Sequence, residues 1–157
     1  MPELSPAYTE MRDTLLANAP ETSKAKAPDE LPHVYALVTD VGFELLFTVA
    51  AYADGTTSVY DGKGGAAVGL GDAGEIAALN RALLREIEAH LDWFAPVEST
   101  PLPAFGLVRF TVLTYEGRLG VEVDGPSLLR GLHPLTKAFA AVMAIMEQAR
   151  RSTSRKQ

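Results

Sequence analysis

The residues best suited to bind a ligand lie in a glycine-rich junction that runs from Asp61 to Asp72. Glycine tolerates positive φ angles and lets the backbone approach another group closely. A glycine-rich turn that leads into a helix can present backbone N–H groups to an anion, and a lysine can add charge. The candidate contacts for a ligand or a partner are therefore Gly62, Lys63, Gly64, Gly65, Gly69 and Gly71.

The junction matches neither of the two common phosphate-binding patterns. Lys63 precedes most of the glycines and no Ser or Thr follows it, unlike G-x-x-x-x-G-K-[ST]. The dinucleotide pattern needs a parallel βαβ setting, and Asp61 and Asp72 place negative charge on both sides. Three interpretations stay open: a bulged or twisted strand against which a helix packs, a contact with a protein, and a small anion site.

Other residues with catalytic potential are sparse. The three histidines are His33, His90 and His133, and the chain has no cysteine and no G-x-S-x-G motif. His90 lies four residues after Glu86 on one helical face, but a metal site normally needs a third ligand, so a solvated pair is favoured. His133 precedes Pro134, where it is expected to cap or pack a helix. We predict no catalytic residue, no metal and no cofactor.

Charge and apolar patterning narrow the classes of partner. The 157 residues carry a net charge of -6, although the last ten residues contain four basic side chains and no acid. An acidic body argues against a nucleic-acid binder, which needs a basic face for the phosphates. The N-terminal sequence does not follow the secretory pattern, and the longest apolar stretches are too short to cross a bilayer. We expect a cytoplasmic protein that binds neither nucleic acid nor membrane.

The elements that must position the junction are three strands before it and a helix after it. Asp54-Gly55 is a strong hairpin signal, and Asp40-Val41-Gly42 is interpreted as the preceding turn. Asp72 is a good N-cap with Glu75 three residues on, and helical periodicity then continues to Trp93 and Phe94. The predicted strands are His33 to Thr39, Glu44 to Tyr52 and Thr56 to Tyr60.

The second half of the chain is predicted to contain two strands and then a helix. Pro96 to Pro103 reads as a proline-rich connector, and Glu116-Gly117 marks a second hairpin. Asp124-Gly125-Pro126 is interpreted as a turn, and Pro134 suits the first turn of a last helix. The predicted strands are Leu107 to Tyr115 and Leu119 to Val123, and the last helix buries Leu135, Phe139, Val142 and Met146.

A short helix is predicted from Ser5 to Leu16, because Ser5 can cap it and Pro6 suits its first turn. Because it contains three prolines, we interpret Asn18 to Pro32 as a linker. Such a linker would allow the helix to pack either on its own domain or on a partner. The predicted organisation is an N-terminal helix and flexible linker over residues 1–32, one α+β domain over residues 33–149, and a disordered basic tail over residues 150–157.

Two meanders around one helix favour an α+β fold with a five-stranded antiparallel sheet, three strands plus two, and about three helices packed on it. This order of elements is similar to the roadblock/profilin-like group. Domains of that group often dimerise or dock on a small GTPase, which the resemblance carries over as an expectation.

A second resemblance covers roughly Tyr35 to Met146. The residues that carry it are Asp54-Gly55-Thr56-Thr57-Ser58-Val59-Tyr60 with Gly64-Gly65, then Val108 to Gly117, then His133-Pro134-Leu135. They resemble an uncharacterised family of small bacterial proteins with the pattern D-G-T-x-S-x-Y, G-G-G, V-R-F-x-x-L-T and H-P-L. This chain departs from it at Ala66, the third position of the triple glycine. The resemblance implies a bacterial origin and brings no catalytic residues.

The leading functional hypothesis is a non-enzymatic protein-interaction module, acting as a scaffold, a regulator or an immunity-type partner. It rests on the missing catalytic groups, the tethered first helix, and sheet edges that need pairing or cover. A protein partner is expected, and a homodimer is compatible with the same features. The alternative is a small-molecule or nucleotide-sensing domain that uses the glycine-rich junction.

Overall fold

The computed structural model describes residues 4–17, 29–67 and 74–155, and side chains as far as Arg151. Within these residues it is an α+β structure with one antiparallel sheet of seven strands and four α-helices. The strands are β1 (Val34–Gly42), β2 (Leu46–Tyr52), β3 (Thr57–Asp61), β4 (Ala66–Ala67), β5 (Ala95–Pro96), β6 (Leu107–Thr114) and β7 (Gly117–Asp124). The helices are α1 (Pro6–Ala17), α2 (Gly74–Ala89), α3 (Gly125–Leu129) and α4 (Thr136–Arg155), and a 3-10 turn spans Leu91–Trp93.

The α+β class and the antiparallel sheet are confirmed, but the prediction of five strands is wrong. The order across the sheet is β4-β3-β2-β1-β6-β7-β5. The two additional strands, β4 and β5, are two residues long and form its outer edges. Strand β4 lies in the glycine-rich junction, and β5 lies at the start of the proline-rich connector. Two residues are too few to produce a visible alternation of apolar and polar side chains.

The first strand is longer than predicted, and its end corrects an interpretation of Asp40. The pattern Asp40-Val41-Gly42 suggested a turn, yet these residues continue β1 and pair with β2 and β6. The turn falls at residues 43–45 instead. Asp40 is fully buried in the middle of the sheet, because an arginine from α1 compensates its charge.

Three further boundaries differ from the sequence prediction. The turn predicted at Asp124-Gly125-Pro126 begins α3, where the Asp124 carboxylate accepts hydrogen bonds from the Ser127 N–H and hydroxyl, each at 2.9 Å. Helix α2 ends at Ala89, and Trp93 lies in the 3-10 turn beyond it. Helix α4 continues to Arg155, past the predicted end of the domain.

The central seam of the sheet joins the two meanders, since β1 pairs with β6 from Val41↔Val108 to Val34↔Thr114. Helices α2 and α4 cover one face. The main apolar core lies between them and the sheet, and its fully buried side chains include Leu37, Ile76, Leu83, Leu84, Ile87, Phe110, Leu135 and Ile145. Helix α1 lies on the opposite face.

On that opposite face α1 forms a second, smaller apolar cluster with the sheet. Tyr8, Leu15 and Leu16 pack against strand residues that include Ala36, Val38, Ala50, Tyr60 and Leu113. The molecule therefore has a helical layer on each side of the sheet. In the part of the chain that is described, none of the helices is both long and apolar enough for a membrane span.

Candidate functional site

The described part of the glycine-rich junction is a tight turn closed by Asp61. One carboxylate oxygen of Asp61, Oδ1, accepts the backbone N–H groups of Lys63 at 2.8 Å and of Gly65 at 3.1 Å. The backbone also closes on itself, because Gly64 donates to the Asp61 carbonyl at 3.0 Å. The amides that a bound anion would need therefore already have an intramolecular acceptor. Gly69 and Gly71 lie outside the described residues.

The same turn receives the start of α1. The Ser5 N–H donates to the Gly62 carbonyl at 2.8 Å. A Cβ on Gly64 would lie 2.8 Å from Ser5 Oγ, and Gly64 has a φ of +99°, so a side chain is excluded by space and by conformation. A Cβ on Gly62 would lie 3.0 Å from the Leu4 side chain. These glycines make room for the N-terminal segment.

A buried polar network fixes α1 on the sheet. Arg12 donates from Nε and Nη2 to the two carboxylate oxygens of Asp40, each at 2.9 Å, and from Nη2 to the Thr100 carbonyl at 2.6 Å. The Thr48 hydroxyl donates to Asp40 Oδ1 at 2.7 Å. That leaves the Thr48 oxygen to accept the Tyr8 hydroxyl at 2.6 Å. Helix α1 therefore docks on its own domain.

The network has the residue types of a catalytic site but the geometry of a structural one. Both oxygens of Asp40 are occupied by partners, and its side chain has no exposure to solvent. Burial raises the pKa of Tyr8 to about 12, so its hydroxyl keeps its proton at neutral pH. A substrate has no free acceptor or nucleophile here. The network instead neutralises a charge inside the fold.

An open, mostly apolar cleft lies beside the glycine-rich turn, at the end of the sheet where β1 passes into β2. Its volume is about 120 Å³. Of the sequence-predicted site residues, Gly62 and Lys63 line it, whereas Gly64 and Gly65 do not. The remaining lining residues are Leu4, Gly42, Phe43, Glu44, Leu45, Leu46, Pro103 and Phe105.

Large apolar side chains are exposed around the same end of the sheet. Among the described residues they are Leu45 (45 % exposed), Trp93 (47 %), Phe105 (74 %), Leu129 (67 %) and Leu132 (71 %); we call these five the apolar end. The start of β2, the start of β6 and the end of β7 meet here, as the pairs Gly42↔Leu46 and Leu107↔Asp124 show.

Four members of the apolar end lie on short connections at that end of the sheet. Leu45 occupies the turn between β1 and β2, and Phe105 lies just before β6. Leu129 ends α3, which follows β7 directly, and Leu132 lies three residues beyond. Trp93 comes from the other side, where its ring centroid lies 5.2 Å from that of His133.

His133 caps α4, in agreement with one of the two roles expected for it. Its Nδ1 accepts the Leu135 N–H at 3.0 Å, which requires the unprotonated ring nitrogen. Burial lowers the pKa of His133 below its usual value, although the charge of Asp124 partly opposes this shift. His133 is therefore neutral at pH 7 and joins the helix start to the Trp93 ring.

The other two histidines form pairs with glutamates. His90 Nδ1 donates to the Glu86 carbonyl at 2.7 Å and lies 3.6 Å from its carboxylate. His33 contacts Glu88, whose Oε1 also accepts the backbone N–H groups of His33 and Val34 at the start of β1. Throughout the described ranges, no group of three His, Asp or Glu side chains is placed to hold a metal ion.

The sequence contained a signal for the apolar end that pattern reading did not use. Phe105 is an aromatic residue in the short segment between the proline-rich connector and β6, which has no periodicity. Leu128 and Leu129 are adjacent in a five-residue helix, so both cannot face the core; Leu128 is buried and Leu129 is exposed. Large apolar residues that belong to no periodic pattern therefore indicate an exposed apolar surface.

No family model, curated protein or solved structure matches the chain. The resemblances to a small bacterial family and to the roadblock/profilin-like layout therefore stay predictions.

Proposed function

We propose that this protein is a non-enzymatic protein-interaction module that docks a partner protein through the apolar end of its sheet. The observation that carries this proposal is that Leu45, Phe105, Leu129 and Leu132 are exposed on segments next to one end of the sheet, with Trp93 beside His133. Single exposed apolar residues are ordinary on protein surfaces, whereas a group of them is typical of an interaction site.

The composition of the apolar end supports an interface rather than a defect of packing. Interface cores are enriched in aromatic residues and depleted in charge, and Trp93 and Phe105 are the aromatic members here. Contacts hold the supporting backbone in place: the Gly125 N–H donates to the Gly106 carbonyl at 2.7 Å, and the Gly106 N–H donates to Gly42 at 2.6 Å. Such a preorganised surface costs little entropy on binding.

The edges of the sheet are poorer candidates for the interface. Within the described residues, each edge carries a two-residue strand, β4 on one side and β5 on the other. Pro96 in β5 has no N–H to donate to an added strand. Short outer strands and edge prolines are the usual means by which proteins prevent edge-to-edge pairing. A partner that docks by strand addition is therefore disfavoured.

The alternative, a small-molecule or nucleotide-sensing domain at the glycine-rich junction, has weaker support. Asp61 already accepts the amides of Lys63 and Gly65, and its charge opposes a phosphate. The adjoining cleft, at about 120 Å³, is smaller than the roughly 300–1,000 Å³ of common small-molecule sites. Thermal stabilisation by a nucleotide would reverse this preference.

The test is quantitative affinity capture from the native cell extract with three forms of the full chain. These are the natural sequence, the double variant Leu129→Ser/Leu132→Ser, and Ala82→Ser as a control on the exposed side of α2. We expect a stoichiometric protein that the natural sequence and the control retain and the double variant loses. Equal recovery by all three forms would contradict the proposal.

A further inference from the structure

We infer that the cleft at the apolar end receives one large apolar side chain, Phe, Leu or Met, from a peptide segment of the partner, flanked by an acidic and a basic residue. This inference rests on the proposed interaction function and names the feature of the partner that is recognised. It follows from the size of the cleft, its walls and the charges on its rim.

The volume of the cleft selects a single side chain. A buried apolar cavity of roughly 150 Å³ is known to hold benzene, and this cleft measures about 120 Å³. One phenyl ring or one branched aliphatic group is of this size, whereas a nucleotide is far larger. Interfaces commonly concentrate their binding energy in such anchors, which fill a pocket on the partner.

The walls of the cleft are apolar and come from three separated parts of the chain. Phe43 and Leu45 contribute from the β1–β2 turn, Phe105 from the segment before β6, and Leu4 from the residues before α1. Phe43 is held in place, because its ring packs edge-on against Phe139 at a centroid distance of 6.2 Å. The pocket therefore exists before a partner binds.

Two charged side chains, those of Glu44 and Lys63, lie at the border of the cleft. Glu44 and Lys63 both line it and are exposed, and neither forms an ion pair with any residue that the structure describes. A basic residue beside the anchor would complement Glu44, and an acidic one would complement Lys63. Rim charges of this kind contribute more to the choice and orientation of a partner than to affinity.

The test uses a phage-displayed library of random dodecapeptides, selected on the immobilised full chain. We expect the enriched peptides to share one Phe, Leu or Met with an acid and a base close to it. A fluorescein-labelled synthetic peptide of the leading sequence then gives the Kd by anisotropy. Replacement of its anchor by Ala should weaken binding about 30-fold or more, as for an interface hot spot.

Two variants of the protein separate the cleft from the rest of the apolar end. Phe105→Ser removes a wall of the cleft, and Leu132→Ser removes an exposed side chain that does not line it. Both positions are highly exposed, so both variants should keep the far-ultraviolet circular dichroism of the natural protein. We expect Phe105→Ser to abolish peptide binding and Leu132→Ser to leave the peptide affinity within about twofold.

The charges are tested by reversal. Lys63→Glu should weaken binding of the peptide about two- to fivefold, the effect typical of an exposed ion pair. Changing the acid of the peptide to Lys should restore the affinity for this variant and weaken it for the natural protein.

Three results would overturn the inference. The first is a selection without a shared apolar anchor, and the second is a peptide affinity that Phe105→Ser does not change. The third is self-association of the chain that an excess of the unlabelled peptide disrupts, which would assign the cleft to a second copy of the chain. If the second result came together with loss of peptide binding in Leu132→Ser, the peptide would bind the apolar end outside the cleft.

Discussion

At the scale of single residues, the ion pair between Arg12 and Asp40 is the contact most sensitive to substitution. Arg12 is 6 % exposed and Asp40 is not exposed at all, so each charge depends on the other for compensation. Removing one partner of a buried pair leaves an uncompensated charge, which usually costs about 3–5 kcal/mol. Replacing both partners by apolar groups of similar volume is often neutral.

We therefore predict that Arg12→Met lowers the free energy of unfolding by about 3–5 kcal/mol. In Arg12→Met/Asp40→Leu we expect most of that loss to be recovered. Urea denaturation of the natural protein, both single variants and the double variant measures the coupling. Equal and additive losses would mean that the two side chains act independently.

His133 provides the second prediction at this scale. Burial lowers its pKa in the folded protein below the ordinary value near 6.5, so the unfolded chain binds the proton more readily. The stability that its neutral form confers is complete above about pH 6.5 and falls as the pH drops from there towards the folded pKa. Protonation also removes the acceptor of the Leu135 N–H.

The matched variant is His133→Asn, whose side-chain oxygen can accept the same N–H at every pH. We expect the natural protein to lose more stability than this variant between pH 7.5 and pH 5. Chemical denaturation, monitored through the fluorescence of Trp93, the single tryptophan of the chain, measures the stability of the natural protein and of the variant at each pH. Parallel pH profiles would remove His133 as the titrating group.

At the scale of elements, the docking of α1 explains the glycine-rich turn. Gly64 and Gly55 have nearly the same backbone angle, with φ of +99° and +97°. They differ in surroundings: a Cβ on Gly64 would meet Ser5, whereas nothing lies within 4 Å of a Cβ on Gly55. The pair separates the cost of the conformation from the cost of disturbing α1.

We predict that Gly55→Ala costs about 1–2 kcal/mol from backbone conformation alone, and that Gly64→Ala costs more. Adding Ser5→Gly should remove the excess from Gly64→Ala, with Ser5→Gly alone as the reference because Ser5 also accepts the Ala7 N–H. Chemical denaturation provides the values. If Gly64→Ala and Gly55→Ala cost the same, the turn does not depend on α1.

The elements also show which parts of the fold could be predicted from sequence. The hairpins at Asp54-Gly55 and Glu116-Gly117 follow from local patterns, and the structure contains them. Of the stripe predicted for the last helix, Leu135, Phe139 and Val142 are buried, whereas Met146 is only partly buried. Asp40 was misplaced because its neutralising partner, Arg12, is distant in sequence. Strands β4 and β5 were missed because pairing across the sheet, not local preference, makes them strands.

The candidate site, too, could be predicted only in part from the sequence. Composition predicted Gly62 and Lys63 as contacts, and both line the cleft, but their role in binding stays a prediction. The apolar end was not found, because solvent exposure is a property of the assembled molecule. Nothing in the local sequence of Leu129 distinguishes it from its buried neighbour Leu128. The packing of α3 against β7 and α4 decides which of the two is buried.

At the scale of the whole molecule, the short outer strands of the sheet restrict how two copies can associate. Both outer strands are two residues long, so a dimer is expected to bury the apolar end rather than extend the sheet. We predict that Leu129→Ser/Leu132→Ser weakens any self-association seen by sedimentation equilibrium. A substitution at the β4 edge, Ala66→Pro, should leave it unchanged. The reverse order of effects would indicate edge-to-edge pairing.

The pairing of β1 with β6 has a consequence for synthesis of the chain. On the ribosome, β1 to β4 and α1 emerge long before β6, and the segment that α1 contacts through Thr100 also comes late. At about 5–20 residues per second, the most central strand stays open along one side for seconds. An unpaired strand edge is a template for wrong pairing. The β6-facing edge of β1 is therefore available for wrong pairing in a nascent chain until β6 has been synthesised.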